Sequence, residues 1–266
     1  MRPHWSLPNP MRCLCLFIHY FNPQGTFGGR SKHQDPDVRR AIVQRSLFSL
    51  RALSDLDVRV CGHAGHGLVP LDLDLADRTD NPQFLVFEAL QLLHEFRNAY
   101  DYFLVVEDDL LLSPDIFYNV LQFDDCFGAS SGQRWILHPN RIEFQGGKSP
   151  FCIDLAVVRR RLATPILFDN RQLQEHENPH SGLLLINRAK LDIIAQEVDA
   201  TFRGSVIGGP MASAFAHYHQ PFRLFRCIDG LDYHTIQHLD PMEWRQPSLP
   251  ERAWRRIRRD LSLQRG

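Results

Sequence analysis

The residues best suited to chemistry are three consecutive acids, Glu107, Asp108 and Asp109, which directly follow the apolar segment 102–106 (YFLVV). Consecutive residues at the end of a β-strand point to opposite sides, so the three side chains cannot all contact the same ligand. One or two carboxylates can hold a hard divalent cation through oxygen, and that cation can bridge phosphates. The alternative is a solvated strand end or a set of helix-capping acids, because residues 113–115 (SPD) are typical of a helix start.

The elements that would position these acids alternate along the first half of the chain. Short apolar runs predict buried strands, and apolar residues at helical spacing predict helices between them. The predicted strands are 14–20, 57–61 and 102–106. One predicted helix starts at Asp35-Pro36 and covers 38–53, and the other starts at Asn81-Pro82 and runs to Phe96. This alternation indicates an α/β layer fold with a mostly parallel sheet flanked by helices, in which ligands bind beyond the carboxyl ends of the strands.

The second half of the chain is less regular. Its pattern predicts strands near 134–138 and 182–187 and helices near 188–198 and 210–219. The length fits one large domain, or two that share an interface, and we expect a single domain.

Composition limits the class of protein. The chain has 266 residues, of which 44% are hydrophobic and 23% charged, and its net charge is −1. These values are typical of an ordinary globular protein and argue against disorder and against a nucleic-acid binder, which would carry a basic excess. Six scattered cysteines without a CxxC pair argue against a zinc ribbon and favour a reducing, cytoplasmic setting.

The two ends of the chain look different from the rest. No segment approaches the roughly 20 apolar residues that cross a bilayer. Residues 1–10 contain three prolines and are interpreted as a disordered leader or a misassigned start. Residues 246–266 predict a basic C-terminal helix; its arginines could rest on the inner face of a membrane, or the helix could be solvated and packed on the domain.

The segment VVEDDLLLSPDIF resembles the metal-binding motif of GT-A glycosyltransferases, most closely that of N-acetylglucosaminyltransferases. The resemblance implies a GT-A-like, Rossmann-like fold, a nucleotide-sugar donor that is usually UDP-linked, and Mn²⁺ or Mg²⁺ on its diphosphate. It places Asp109 on the metal, Asp108 near the ribose or sugar, and Glu107 near the donor sugar. Residues 11–130 would then bind the donor and residues 131–245 the acceptor.

Two later segments extend the resemblance. Residues 178–185 (NPHSGLLL) resemble the family's turn where donor sugar and acceptor meet, which implies acceptor contacts for His180 and Ser181. Residues 236–239 (IQHL) resemble a strand end whose histidine approaches the metal, which makes His238 a predicted ligand. The sequence leaves His234 open as the alternative ligand.

The end of the first strand would hold the nucleotide. In GT-A folds this edge packs on base and ribose, so Tyr20 could stack while His19 and Asn22 donate or accept hydrogen bonds; His19 could equally be a core histidine. The glycine-rich loop 25–33 carries Arg30 and Lys32, which could face a diphosphate, although a surface turn explains the loop as well. In the helix that follows, Arg39 and Arg40 lie on the side expected for the nucleotide or are simply solvated.

The catalytic base is the least defined part of the predicted site. Inverting relatives place an acid at the start of the helix after the glycine turn, whereas residues 207–211 (IGGPM) contain none. Either Glu177 serves as the base, with Asp108 the other predicted catalytic residue, or the enzyme retains configuration and needs no such base.

The sequence therefore predicts a metal-dependent hexosyl- or N-acetylhexosaminyltransferase. Its predicted partners are a nucleotide-sugar donor and a glycan, lipid-linked or small-molecule acceptor. The alternatives are a metal-dependent phosphoesterase or nucleotidyltransferase, which would need two metals and more carboxylates, and a non-catalytic nucleotide-sugar-binding protein. The sugar, the acceptor, the stereochemical outcome and the oligomeric state stay open.

Overall fold

The computed structural model of the chain describes residues 11–22, 35–53, 55–128, 131–144, 150–152, 164–204 and 210–240. The predicted leader 1–10, the loop 25–33 with Arg30 and Lys32, and the C-terminal segment 246–266 lie outside these ranges. Within the described part, no helix combines the length and apolar character needed to span a membrane.

The described part is a mixed α/β structure with parallel strands and flanking helices, as in Rossmann-like folds. The helices are α1 (Pro36–Arg51), α2 (Leu85–Phe96), α3 (Pro114–Phe127), α4 (Arg188–Glu197) and α5 (Pro210–His219). The strands are β1 (Cys13–Ile18), β2 (Leu56–Gly62), β3 (Leu73–Asp74), β4 (Tyr102–Glu107), β5 (Leu110–Leu111), β6 (Trp135–Leu137), β7 (Asn140–Glu143), β8 (Phe151–Cys152), β9 (Ile166–Phe168), β10 (Arg171–His176), β11 (Leu183–Asn187), β12 (Arg223–Cys227) and β13 (Thr235–His238).

The central sheet confirms the strand predictions of the first half. Its order is β11-β4-β1-β2-β3, with β1 to β4 mutually parallel and only β11 antiparallel. The strands β1 and β4 are buried almost throughout because the sheet is covered on both faces by apolar side chains of two core clusters. The acidic triplet consequently lies at the carboxyl end of a central strand.

The helix starts follow the predicted capping residues. Asp35 precedes α1 and accepts hydrogen bonds from the backbone N–H groups of Asp37 and Val38, with Pro36 at the first helical position. The second predicted helix begins as a 3₁₀ turn, Pro82–Phe84, and continues as α2. The cap at Asp35 fixes the first turn of α1, from which Arg39 reaches the acidic triplet.

The second half contains strands that the sequence did not predict. Together with β5, the predicted strand β6 and the late strand β13, they build two four-stranded sheets, in the orders β6-β12-β10-β9 and β5-β13-β7-β8. In the latter, β13 runs antiparallel to β5 with His238 opposite Leu110, the residue after Asp109. The strand β7 pairs in parallel with β13 and ends at Glu143. This small sheet brings three chain segments to the acidic triplet.

All six cysteines are free thiols, and every one except Cys126 is buried. Cys13 and Cys15 lie in the core cluster on one face of β1. They pack as small apolar side chains.

A buried ion pair joins α3 to α4. The ammonium group of Lys190 donates to Asp124, whose other oxygen accepts from Asn187 Nδ2 at 2.8 Å and Tyr102 Oη at 3.2 Å. Burial lowers the pKa of Lys190, and the neighbouring Asp124 carboxylate opposes that shift. Lys190 and Asp124 are both almost inaccessible to solvent.

Replacing Lys190 by Met is therefore expected to cost about 3–5 kcal/mol of unfolding free energy, because it leaves the Asp124 charge buried without its cation. Urea denaturation measures the loss. Arg97→Met is the matched control, since it breaks the more exposed pair with Asp192 on the same α4 helix and should change stability far less. Equal losses in the two variants would contradict the expectation.

Candidate functional site

Asp108, just beyond β4, accepts hydrogen bonds from two side chains. His19 Nδ1 lies 2.7 Å from Asp108 Oδ2, and the other oxygen, Oδ1, accepts from Arg39 Nη2. His19 Nε2 accepts the backbone N–H of Leu68 at 2.7 Å, which places the ring proton on Nδ1, where it donates to Asp108. Burial alone would raise the pKa of Asp108, but Arg39 and His19 hold it below its usual value. Asp108 is thus an oriented, ionised carboxylate.

A single guanidinium group connects three carboxylates. Besides its bond to Asp108, Arg39 Nη1 lies 3.0 Å from Asp240 Oδ2 and 3.4 Å from Asp109 Oδ2. The arginine is only 3% exposed, and the three acids are equally buried. We call Arg39, Asp108, Asp109 and Asp240 the acidic cluster. One positive charge against three carboxylates leaves a negative excess in a region shielded from water.

His238 joins the acidic cluster to a further carboxylate. Its Nε2 lies 3.4 Å from Asp109 Oδ2, while its Nδ1 lies 2.8 Å from Glu143 Oε1. The backbone carbonyl of Asp109 also accepts from Leu239 N–H at 2.8 Å, which ties the end of β13 to the triplet. A metal-binding histidine usually donates one ring N–H to a carboxylate, while its other ring nitrogen binds the metal.

Glu107 contacts the turn predicted to bind the acceptor. The backbone N–H of Glu107 donates to the carbonyl of Gly182 at 2.9 Å. Gly182 has φ +74°, and a Cβ placed on it would lie 2.7 Å from Glu107 Oε2 and 3.0 Å from Leu110 Cδ1. Glycine is required here both for the left-handed backbone and for the close approach of the carboxylate.

Gly182→Ala is expected to cost about 2–5 kcal/mol, since about 1–2 kcal/mol of backbone strain adds to about 1–3 kcal/mol for the overlap with a packed side chain. Gly65→Ala is the matched control: Gly65 has φ +78°, but nothing lies within 4 Å of its Cβ position. Urea denaturation of both variants should show the larger loss for Gly182→Ala. Equal losses would mean that contact with Glu107 contributes nothing.

Ser181 and His138 form a hydrogen bond that is structural in character. Ser181 Oγ lies 2.7 Å from His138 Nε2, but Arg226 donates to His138 Nδ1 from Nε at 3.1 Å and from Nη2 at 2.8 Å. His138 Nδ1 is therefore an acceptor and Nε2 carries the proton, so the ring cannot remove a proton from Ser181. Ser181 is fully buried.

Of the other predicted site residues, Tyr20 and His180 contact side chains outside the acidic cluster. Tyr20 packs against the ring of His66, with centroids 5.2 Å apart, and lies with Asn22 beyond the end of β1. His180 Nε2 is 3.4 Å from Arg141 Nη1 on β7. Glu177 is exposed in the loop after β10, and of the segment 207–211 only the last two residues lie in the described part, at the start of α5.

The structure thus groups the predicted residues His19, Asp108, Asp109 and His238 directly, and Glu107 beside the predicted acceptor turn. It adds Glu143, Asp240 and a central position for Arg39, which the sequence placed only on the nucleotide side of α1. Of these added residues, Asp240 could have been found from sequence, because it lies only two residues after the predicted ligand His238.

Asp109 and His238 are the candidate ligands of a divalent cation at this site. Among the described residues, no group of three or more His, Cys, Asp or Glu side chains is arranged to hold a metal ion. Mg²⁺-type sites, however, often use one or two protein ligands and take the remainder from substrate phosphates and water. The Asp109 oxygen and His238 Nε2, 3.4 Å apart, fit such a two-ligand site.

A separate cavity of about 480 Å³ opens at the start of α3. Its lining includes Asp115, Tyr118, Arg171 and Asp232, and no member of the acidic cluster. Arg171 is already paired with Asp232 at 2.7 Å, so this cavity adds nothing to the chemistry of the triplet.

No protein-family model and no curated protein matches this chain. Two solved structures are similar at low identity. A197 from STIV shares 12% identity, with a TM-score of 0.37 over 81% of each chain. S. aureus TarS residues 1–349 shares 9% identity, with a TM-score of 0.39 over 87% of this chain and 61% of that one. Likenesses with TM-scores below 0.5 support no statement about function.

Proposed function

We propose that this protein is a metal-dependent glycosyltransferase that transfers a sugar from a nucleotide-sugar, UDP-linked, to an acceptor hydroxyl. The observation that carries the proposal is the pairing of Asp109 with His238 beyond the carboxyl end of the central parallel strand β4. His238 is held there by Glu143 at 2.8 Å, in the manner of an oriented metal ligand.

In this proposal Asp109 and His238 hold Mn²⁺ or Mg²⁺. When bound, such a cation supplies the positive charge that neutralises a departing diphosphate. Asp108, fixed by His19 and Arg39, orients the ribose or donor sugar. Glu107 contacts the turn at Gly182, so in this proposal the donor sugar and the acceptor meet beside that contact.

The acceptor side is proposed from the same turn. His180, beside Arg141, faces the acceptor hydroxyl together with the Ser181 backbone, since the Ser181 side chain is enclosed. Glu177 is the candidate base for an inverting reaction, and a retaining reaction would dispense with it. A glycan, lipid-linked or small-molecule acceptor suits this arrangement, and a contact between the basic tail 246–266 and a membrane surface stays a prediction.

The phosphoesterase or nucleotidyltransferase alternative draws less support. Two-metal enzymes hold their ions about 3.5–4 Å apart by several carboxylates. Here Asp108 accepts hydrogen bonds from His19 and Arg39, and Asp240 accepts one from Arg39, so both carboxylates already face the guanidinium of Arg39.

The proposal is tested by thermal shift with UDP, UDP-glucose, UDP-galactose and UDP-N-acetylglucosamine, each with 1 mM Mn²⁺ or with EDTA. A ligand that binds only the folded state raises Tm. We expect stabilisation by at least one UDP-sugar with Mn²⁺, and slow Mn²⁺-dependent release of UDP from it. Stabilisation without any UDP release would indicate the binding-protein alternative, and no stabilisation by any of the four would refute the proposal.

A further inference from the structure

We propose that Arg39 is a built-in counter-cation of the acidic cluster, which gives up Asp109 when a divalent cation binds and then pairs with the diphosphate of the nucleotide. The inference rests on the proposed function for its ligand. It adds a positioning residue that the predicted metal motif does not contain.

The first step is the burial of the charges. Three carboxylates and one guanidinium meet in a region where each is at most 4% exposed. Carboxylates gathered in this way repel one another strongly unless a cation lies among them. Arg39 is that cation: it contacts Asp108, Asp109 and Asp240 at once, and these contacts raise the pKa of its guanidinium above the usual value although burial opposes the shift.

The second step is competition for one atom. Asp109 Oδ2 lies 3.4 Å from Arg39 Nη1 and also 3.4 Å from His238 Nε2. A divalent cation shared by Asp109 and His238 would therefore stand directly beside the guanidinium. Like charges at that separation repel strongly even at a protein-like dielectric constant, so Arg39 must leave Asp109 for a cation to bind tightly.

The third step is the new partner of Arg39. Its bonds to Asp108 and Asp240 can persist, because neither carboxylate is a predicted metal ligand. The Nη1 side of the guanidinium, released from Asp109, then faces the diphosphate oxygens that would bind the cation. A planar guanidinium with five N–H donors matches phosphate oxygens, and a buried arginine requires such an anion. Arg39 would thus lower the affinity for free metal and raise the affinity for the nucleotide in the presence of metal.

These opposite effects give the test. Mn²⁺ binding is titrated by the loss of the free-ion electron paramagnetic resonance signal, without nucleotide, for the wild type, Arg39→Met, Arg39→Lys and Arg40→Met. Arg40 lies next to Arg39 but is partly exposed and pairs with Asp37, so it is the matched control. We expect Arg39→Met to bind Mn²⁺ at least tenfold more tightly than the wild type. Arg39→Lys, which keeps the charge, and Arg40→Met should stay within threefold.

At saturating Mn²⁺, UDP binding measured by calorimetry should weaken at least tenfold in Arg39→Met. In EDTA, the Tm of Arg39→Met should be lower than that of the wild type. Mn²⁺ should raise the Tm of Arg39→Met by more than it raises that of the wild type, since the metal replaces the missing charge. The inference is overturned if Arg39→Met binds Mn²⁺ no more tightly than Arg40→Met, if it stays unfolded at 5 mM Mn²⁺, or if Arg39→Lys behaves like Arg39→Met. A wild type that binds neither Mn²⁺ nor UDP would instead remove the proposed function and this inference together.

Discussion

Lowering the pH from 7 to 5 is expected to remove a large part of the stability of this protein, because four buried histidines must stay unprotonated in the folded state. Burial, assisted by the nearby charge of Arg226, lowers the pKa of His138 and His176 well below the usual value. Burial also lowers the pKa of His219 to about 4 and that of His234 to about 3.

The sign follows from proton counting. In the unfolded chain these histidines titrate near pH 6.5, so below that pH the unfolded state binds protons that the folded state does not, and stability falls as pH falls. The loss continues until the folded pKa values, near 4 and 3 for His219 and His234, are reached. Between pH 7 and pH 5, His219 and His234 each contribute a loss of about 2 kcal/mol, and His138 and His176, whose pKa values are lowered in the same direction, add to it. The combined loss is a large part of the roughly 5–15 kcal/mol stability of a typical domain.

Urea denaturation at pH 7.5, 6.5, 5.5 and 4.5 measures this dependence as the slope of unfolding free energy against pH. His219→Gln should reduce the slope below pH 6 by about one proton, or about 1.4 kcal/mol per pH unit. His63→Gln, in a partly exposed loop, should leave it unchanged. A slope that is flat from pH 6.5 to 4.5, or one that both variants alter equally, would contradict the expectation.

The first half of the fold was predictable because its signals are local. The strand β4 is a run of apolar residues with both faces buried, and α1 begins at a capping Asp35 followed by proline. In the second half, β10 (RQLQEH) and β13 (TIQH) carry polar residues at most positions. Such strands are stabilised by pairing with β12 and β7 rather than by their own composition, and pairing partners are not visible in a short window of sequence.

The candidate site divides in the same way. The triplet was identified because it directly follows an apolar strand, and His238 because residues 236–239 resemble the late strand end of GT-A glycosyltransferases. Arg39 and Asp240 are 201 positions apart, and Glu143 and His238 are 95 apart, so their contacts exist only once β7, β13 and α1 are assembled. An arginine in the first turn of an amphipathic helix looks solvated, and only the folded chain reveals that it is buried.

Asp109→Asn is expected to reduce Mn²⁺-dependent UDP release by about 10²–10³-fold, the range found when one group that stabilises developing charge is removed. The amide keeps the shape of the side chain but lacks the charge with which Asp109 would share a cation with His238. The fold should survive, because Asp108 and Asp240 still hold Arg39 and one of three mutually repelling carboxylates has gone. Tm and the rate of UDP release are measured on the same preparations.

Two further variants separate the metal ligand from its surroundings. Glu143→Gln keeps a hydrogen-bond acceptor for His238 Nδ1 but removes the charge behind the ring, and a change of this kind typically lowers metal affinity by about 10–100-fold. Asp108→Asn weakens the bonds to both His19 and Arg39, so it should lower Tm more than Asp109→Asn does. If Asp109→Asn released UDP at the wild-type rate while Asp108→Asn did not, the cation would belong on Asp108, and His238, which contacts Asp109, would lose its place as the second ligand.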